Sequence, residues 1–262
     1  YRWRALLAPL AKARLSDLYS ATTIGFGAVF LFGRVGEIVR PVVLPMRDRR
    51  IRPAASFVTI MVERICDLTA VVVLFAVNLL WFKPLDNTAA EFSRVRLAGV
   101  VLLVLVVGML VALAWYRKKS EVIVGWLAQR LNLLRFIPVR LSRGLISMLE
   151  QLARALRVLV DVRELAVTSA WTMMVWMGIA AANLLVLRAF GLPFGVGETV
   201  FVMGWSMVGS LVPTPGGAAG AFHAATAAGL IFLGVTSETA VAVSIVMHLI
   251  DFGPAVVFAF FY

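Results

Sequence analysis

Residues 55 to 82 form an apolar run long enough to cross a bilayer, yet Glu63, Arg64 and Asp67 stand inside it. On insertion scales a charge at the centre of a hydrocarbon layer costs about 2.5–3.5 kcal/mol, so this set cannot face lipid. Glu63 and Asp67 are four residues apart and Arg64 and Asp67 three apart, which places them on one side of a helix. That side is expected to face a protein interior, with Arg64 lying between the two carboxylates or reaching Asp251 in the last apolar run. Such a pairing can be a structural staple, or it can hold a guanidinium ready for an anionic headgroup.

Composition then fixes the solvent. With 61% hydrophobic residues, 15% charged residues and a mean hydropathy of +0.94, most of the outer surface must meet lipid. Spanning segments in lipid must satisfy their own backbone, so helices are expected throughout. The formal charge is +11, but the basic residues lie between apolar runs. Anionic inner-leaflet headgroups are therefore the expected partner, and no nucleic acid. One cysteine, Cys66, excludes an internal disulfide and a thiolate metal cluster. No phosphate-binding loop, no His-Glu-x-x-His and no Gly-x-Ser-x-Gly occurs, so neither a cofactor nor a catalytic residue is expected. The chain opens at Tyr1 without a basic-then-apolar leader, which reads as a trimmed domain rather than a signal peptide.

Residues 1 to 17 are mixed and suit an interface. Residues 18 to 33 are apolar, but shorter than the roughly 20 residues a span needs, and Gly25, Gly27 and Gly33 weaken them as a continuous helix. Residues 34 to 54 carry six arginines against Glu37 and Asp48. Spans are expected at 55–82, 97–115, 166–187 and 239–262. Residues 200 to 235 are apolar but broken by Gly204, Gly209 and the stretch PTPGGAAG at 213–220. Residues 117 to 163 hold ten Lys or Arg against three acids and form the expected cytoplasmic segment. Within it Leu141, Leu145, Met148, Leu152, Leu156 and Leu159 recur at steps of three and four, an amphipathic helix. It is expected to lie on the inner leaflet, with packing against a neighbouring helix or a partner protein as the alternative.

Orientation by positive charge makes 18–33 and 200–235 re-entrant elements that enter from opposite faces. A shift of 184 residues lays Gly25 on Gly209, Gly33 on Gly217, Gly36 on Gly220, Arg64 on His248 and Asp67 on Asp251. The expected fold is an all-α, polytopic membrane bundle, one domain over 1–262, with two broken Gly-rich motifs arranged as an inverted repeat. Candidate substrate-binding or charge-relay residues are Arg34, Glu37, Arg40, Glu63, Arg64, Asp67, His248 and Asp251. Gly33, Gly36, Pro213, Pro215, Gly216, Gly217 and Gly220 shape the broken loops. His223 has no assigned role, and Pro254 is expected to kink the last span.

The segments GRVGEIVRP at 33–41, VERICDL at 62–68 and LVPTPGGAAGAF at 211–222 resemble the lysylphosphatidylglycerol synthase transmembrane region, or flippase-like domain, of bacterial and archaeal membrane proteins. The resemblance runs over about residues 2 to 260. It implies a multi-pass inner or plasma membrane protein associated with moving lipids or lipid-linked precursors, and further helices before the Arg-Trp-Arg at 2–4. In the best-known members the domain flips an aminoacylated phospholipid made by a soluble synthase domain. That domain is absent here, so synthase activity does not carry over. Where the family commonly has an acid after the Gly-rich stretch, this chain has His223, which leaves open whether an anionic or an aminoacylated headgroup is preferred. The alternatives are a membrane-embedded transferase acting on lipid-linked substrates and a non-catalytic partner of a lipid synthesis or export complex.

Overall fold

A computed structural model describes residues 1–82, 89–133, 139–159, 161–212 and 214–261, with the side chains of 34, 35, 89–91, 132, 133, 139, 140, 158 and 159 excepted. The described chain is helical. In order come α1 (Arg2–Leu7), α2 (Leu15–Phe32), a 3₁₀ turn (Gly33–Ile38), α3 (Val39–Arg47), α4 (Pro53–Trp81) and α5 (Ala89–Leu133). They are followed by α6 (Val139–Ala155), a 3₁₀ turn (Leu156–Leu159), α7 (Val162–Ala189), α8 (Val196–Ser210), α9 (Pro215–Phe232) and α10 (Ser237–Ala259). Leu15–Phe32, Phe92–Leu131, Val162–Ala189 and Ser237–Ala259 are long and apolar enough to cross a membrane. Helix α4, at 29 residues, has the length as well, and it carries the polar group Glu63, Arg64 and Asp67. Much of α5 is bare apolar surface, with Val104 at 64% and Leu105 at 63% exposure. Such a face is stable only against acyl chains.

One expectation needs correcting, and one helix is longer than the span expected in it. Gly25 and Gly27 do not interrupt residues 18–33, for α2 is continuous over 18 residues and its break falls at Gly33. A Cβ on Gly27 would stand 2.6 Å from that of Ala259, so the glycine permits a close approach to α10. That contact offsets a poor helix former. The helix that carries the span expected at 97–115 runs on beyond it, through the basic residues 117–130.

The helices form two compact units. The first comprises Tyr1–Ala21, Arg40–Asp67 and Val107–Thr172. Here Trp3 and Leu7 of α1 pack with Leu18, Leu44, Ile51 and Ile60, while Leu6 packs with Val58, Val62, Ala155 and Leu156. Met148 and Leu152 of α6 lean on the second group. The stripe expected to lie on the inner leaflet is thus spent inside the unit over residues 148–156. Of its described residues, Leu141 at 57% and Leu145 at 43% exposure remain open at the N-terminal end.

The second unit comprises Thr22–Val39, Leu68–Val106 and Met173–Tyr262. Its α9 packs between α8 and α10 and touches the Gly33–Ile38 turn. As is usual where helices meet in lipid, small and hydroxyl residues make the contacts. Gly209 lies against the Ala221 carbonyl, Gly229 against Trp205, and Ser206 and Thr226 share a hydroxyl bond of 2.8 Å. An aromatic stack of Phe82, Phe92, Phe201 and Phe232 closes one side, with ring centroids 5.1–5.6 Å apart. Each such pair adds about 0.5–1.5 kcal/mol beyond its buried area.

Gly36 sits where the 3₁₀ turn crosses Ala28 so closely that an added Cβ would strike backbone. Gly108, on α5, has open space beside it. G36A is therefore expected to abolish the monodisperse, folded species in detergent size-exclusion chromatography. G108A is expected to leave it intact and to raise the melting temperature slightly.

A second expectation concerns the turn between α3 and α4. Asp48, 7% exposed, accepts hydrogen bonds from the Arg50 guanidinium at 2.7 and 2.9 Å and from the Arg50 backbone N–H at 3.1 Å. These hold its carboxyl down to about 2. Since the folded value lies below the ordinary one near 3.9, ionised Asp48 stabilises the fold above about pH 4 and loses that contribution as pH falls toward 2. The melting-temperature difference between wild type and D48N should shrink over that interval. A constant difference would show that the turn does not depend on the charge.

Candidate functional site

In the first unit the polar face of α4 turns inward and gathers groups from three helices. Glu63, 3% exposed, receives two hydrogen bonds from Arg40, Nη1 to Oε1 and Nη2 to Oε2, each 3.1 Å. The same carboxylate takes Arg2 Nη2 at 2.8 Å and Arg64 Nη2 at 3.1 Å. Asp67 accepts from Arg2 through both of its oxygens and lies 3.1 Å from Arg64. Arg64 therefore does lie between the two carboxylates. The indole of Trp3 carries the Arg40 guanidinium 4.4 Å above its ring and donates its N–H to Thr59 at 3.0 Å. Fixed guanidinium forks of this kind suit buried carboxylates, because two parallel bonds replace the lost water.

The charge count of this cluster is uneven. Among the described residues three guanidiniums, those of Arg2, Arg40 and Arg64, surround two carboxylates, an excess of one positive charge. The Arg40 side chain is 7% exposed and that of Arg64 39%, so Arg64 is the member that outside groups can reach. Its Nε is buried without a hydrogen-bond partner among the described residues.

The second unit assembles the Gly-rich motifs. Gly33 (φ 64°) and Gly217 (φ 65°), residues the shift of 184 aligns, both adopt the left-handed conformation. The two breaks touch, for a Cβ on Gly33 would lie 2.6 Å from the Thr214 carbonyl oxygen. After Pro215 three left-handed residues follow in succession, Gly216, Gly217 and Ala218. Ala218 holds φ 65°, a conformation that L residues avoid at about 1–2 kcal/mol. His248 Nε2 lies 3.2 Å from the Gly217 carbonyl oxygen and must donate to it, since a carbonyl only accepts. Phe252, one turn further along α10, lies against Gly217. Asp251 receives the Asn183 amide at 3.5 Å.

The candidates thus fall into two groups. Arg40, Glu63, Arg64 and Asp67 meet in the first unit, while Gly33, Gly36, Glu37, Pro215, Gly216, Gly217, Gly220, His248 and Asp251 belong to the second. Glu37 lies half-buried in the 3₁₀ turn, and Gly220 has open space beside it rather than a close neighbour. Pro213 and the Arg34 side chain lie outside the described residues. Sequence reasoning missed Arg2, Trp3, Asn183 and the contact between His223 and His248. Arg2 looked like an ordinary interfacial arginine, and its 61-residue separation from Glu63 leaves no local trace. Among the described residues no group of three or more His, Cys, Asp or Glu could hold a metal ion.

An all-helical chain with apolar lipid-facing spans, a buried ion cluster and paired helix breaks is an integral membrane protein. It belongs to the lysylphosphatidylglycerol synthase TM region family, which matches residues 1–259. No curated protein and no solved structure matches the chain.

Removing the Glu63 charge leaves three guanidiniums against Asp67 alone. E63Q is therefore expected to destabilise the protein by about 3–5 kcal/mol, as when one partner of a buried pair is lost. R64Q balances the remaining charges at a half-exposed position and should cost no more than about 1 kcal/mol. Pairing E63Q with R40Q should recover part of the loss. Unfolding curves in detergent that rank R64Q with E63Q would contradict this order.

Proposed function

We propose that the chain is a lipid translocator of the flippase type, acting on an anionic or aminoacylated lipid headgroup that passes the buried ion cluster. The observation that carries this reading is the excess of one guanidinium in that cluster among the described residues, with Arg64 at its accessible side. A headgroup phosphate carries the one negative charge that would balance it, and guanidinium forks match phosphate oxygens. Arg34 and Arg40 are the further candidates for the phosphate, while Glu37, Glu63, Asp67, His248 and Asp251 balance charge or carry protons.

The matching left-handed glycines 33 and 217, and the contact between their breaks, support two re-entrant motifs related as an inverted repeat. Broken helices of this kind present backbone dipoles to a substrate near the bilayer midplane. Membership of the family supports a lipid-handling role in the bacterial or archaeal inner membrane. The covering of residues 148–156 weighs against a docking subunit that works through α6.

Vesicles reconstituted with the protein and trace headgroup-labelled phosphatidylglycerol test the reading, with an impermeant quencher added outside. The quenched fraction should rise beyond the outer-leaflet half at a rate that labelled phosphatidylcholine does not show. R64Q should slow it at least tenfold without loss of folded protein. Quenching equal to that of protein-free vesicles, for both anionic and aminoacylated lipids, would exclude translocation.

A further inference from the structure

The chain has two histidines, and they touch each other. His223 of α9 and His248 of α10 lie edge to face with ring centroids 4.8 Å apart. His248 is 4% exposed and enclosed by aromatic rings, with Phe252 at 4.8 Å, Phe222 at 5.1 Å and Phe30 at 6.3 Å. His223 is half-buried, so it forms the outer end of the pair, and its Nε2 has no partner among the described residues.

The charges around the pair are incomplete. Asp251 lies three residues after His248, hence on the same side of α10, and its hydrogen bond comes from the neutral Asn183 amide. No ion pair reaches Asp251 among the described residues. From the other elements packed here, α2 presents Phe30 and α9 presents Phe222 and His223. The Gly33–Ile38 turn against α9 carries Arg34, whose side chain is not described, and Glu37. Two imidazolium rings in van der Waals contact repel strongly in a poorly solvated interior, so the pair holds one proton far better than two. One proton on the pair balances Asp251 whenever that carboxyl is ionised.

We infer that His223 and His248 together form a binding site for a single proton, whose loading fixes the turn at residues 215–218 through the His248–Gly217 hydrogen bond. The loaded pair keeps a hydrogen on His248 Nε2 for the Gly217 carbonyl. In the unloaded pair the hydrogen of His248 can move to Nδ1, and Nε2 then turns a lone pair toward that oxygen. The turn has three consecutive left-handed residues, which persist only while surrounding contacts hold them; without the imidazole bond these are Phe252, Gly33 and the Ala218 N–H bond to the Thr214 carbonyl. The proton comes from water and returns to it by way of His223, the less buried ring of the pair. No other group is consumed. In a translocator, which is the reading this last step rests on, the proton is the coupling ion.

With two histidines in the chain, selective imidazole ¹⁵N labelling of the full-length protein in lipid nanodiscs reads the pair directly. The two rings are expected to behave as one coupled system that takes up one proton before a second can enter. Amide exchange at residues 216–219, corrected for its intrinsic pH dependence, should quicken as that proton leaves. H223N should abolish the coupling between the rings, and D251N should lower the proton uptake. Two independent titrations, two rings neutral throughout, or exchange at 216–219 that ignores the titration would each overturn the inference. Coupled titration in a protein that moves no lipid would retain the proton site and remove the transport reading. Lipid movement with independent histidines would do the reverse.

Discussion

A carboxylate buried in an apolar helix must either bind a proton or be met by fixed cations, and at Glu63 the chain takes the second course. Three guanidiniums converge on it, and their origins dictate the local architecture. Arg2 requires α1 to lie across α4, Arg40 requires α3 to return to it, and Trp3 holds Arg40 by its ring while tying its own N–H to Thr59. The apolar packing of Leu6, Leu7, Val58 and Val62 on either side keeps water from competing for these bonds. The ion cluster and the core of this unit are therefore one construction, since neither holds its geometry without the other.

The second unit handles polarity differently. Its buried hydroxyls are answered by each other or by the preceding turn of helix, as at Ser206 and Thr226. Three of its ionisable groups, His223, His248 and Asp251, have neutral neighbours among the described residues. The buried ion cluster thus lies in one unit and the two histidines in the other. The strained turn at 215–218 lies with the titratable set, where a change of protonation can act on it.

Much of this could be read from the residues, for physical reasons that also mark the boundary. Lipid forces helices wherever long apolar runs occur, so the helices were legible. The polar face of α4 was legible because insertion cost forbids any other orientation. Gly33 and Gly217 announced their breaks, since no other residue adopts that backbone cheaply. By contrast, the continuity of α2 depends on Gly27 meeting Ala259, more than 230 residues away in sequence. The burial of Met148 and Leu152 depends on α6 finding α1 and α4, and an amphipathic stripe looks the same whether a membrane or a protein will cover it. Likewise His223 and His248 are both unremarkable until α9 and α10 pack, and then each becomes the other's principal neighbour.

On the translocation reading, the division of charge solves a problem that a single permanent site would not. A headgroup crossing a low-dielectric path must exchange its water for protein groups, which calls for fixed cations that need no loading. A site of that kind also holds what it binds, and transport requires release. Binding strength at the ion cluster is set by geometry and cannot vary with the cycle, because Arg2, Arg40 and Arg64 stay charged at every physiological pH. Variation has to come from groups whose charge is changeable and whose change moves backbone. The two histidines beside the left-handed turn are the groups we infer to meet both conditions. If lipid passes through this protein, the energy that drives it is therefore expected to enter at α9 and α10, while recognition resides on α1, α3 and α4.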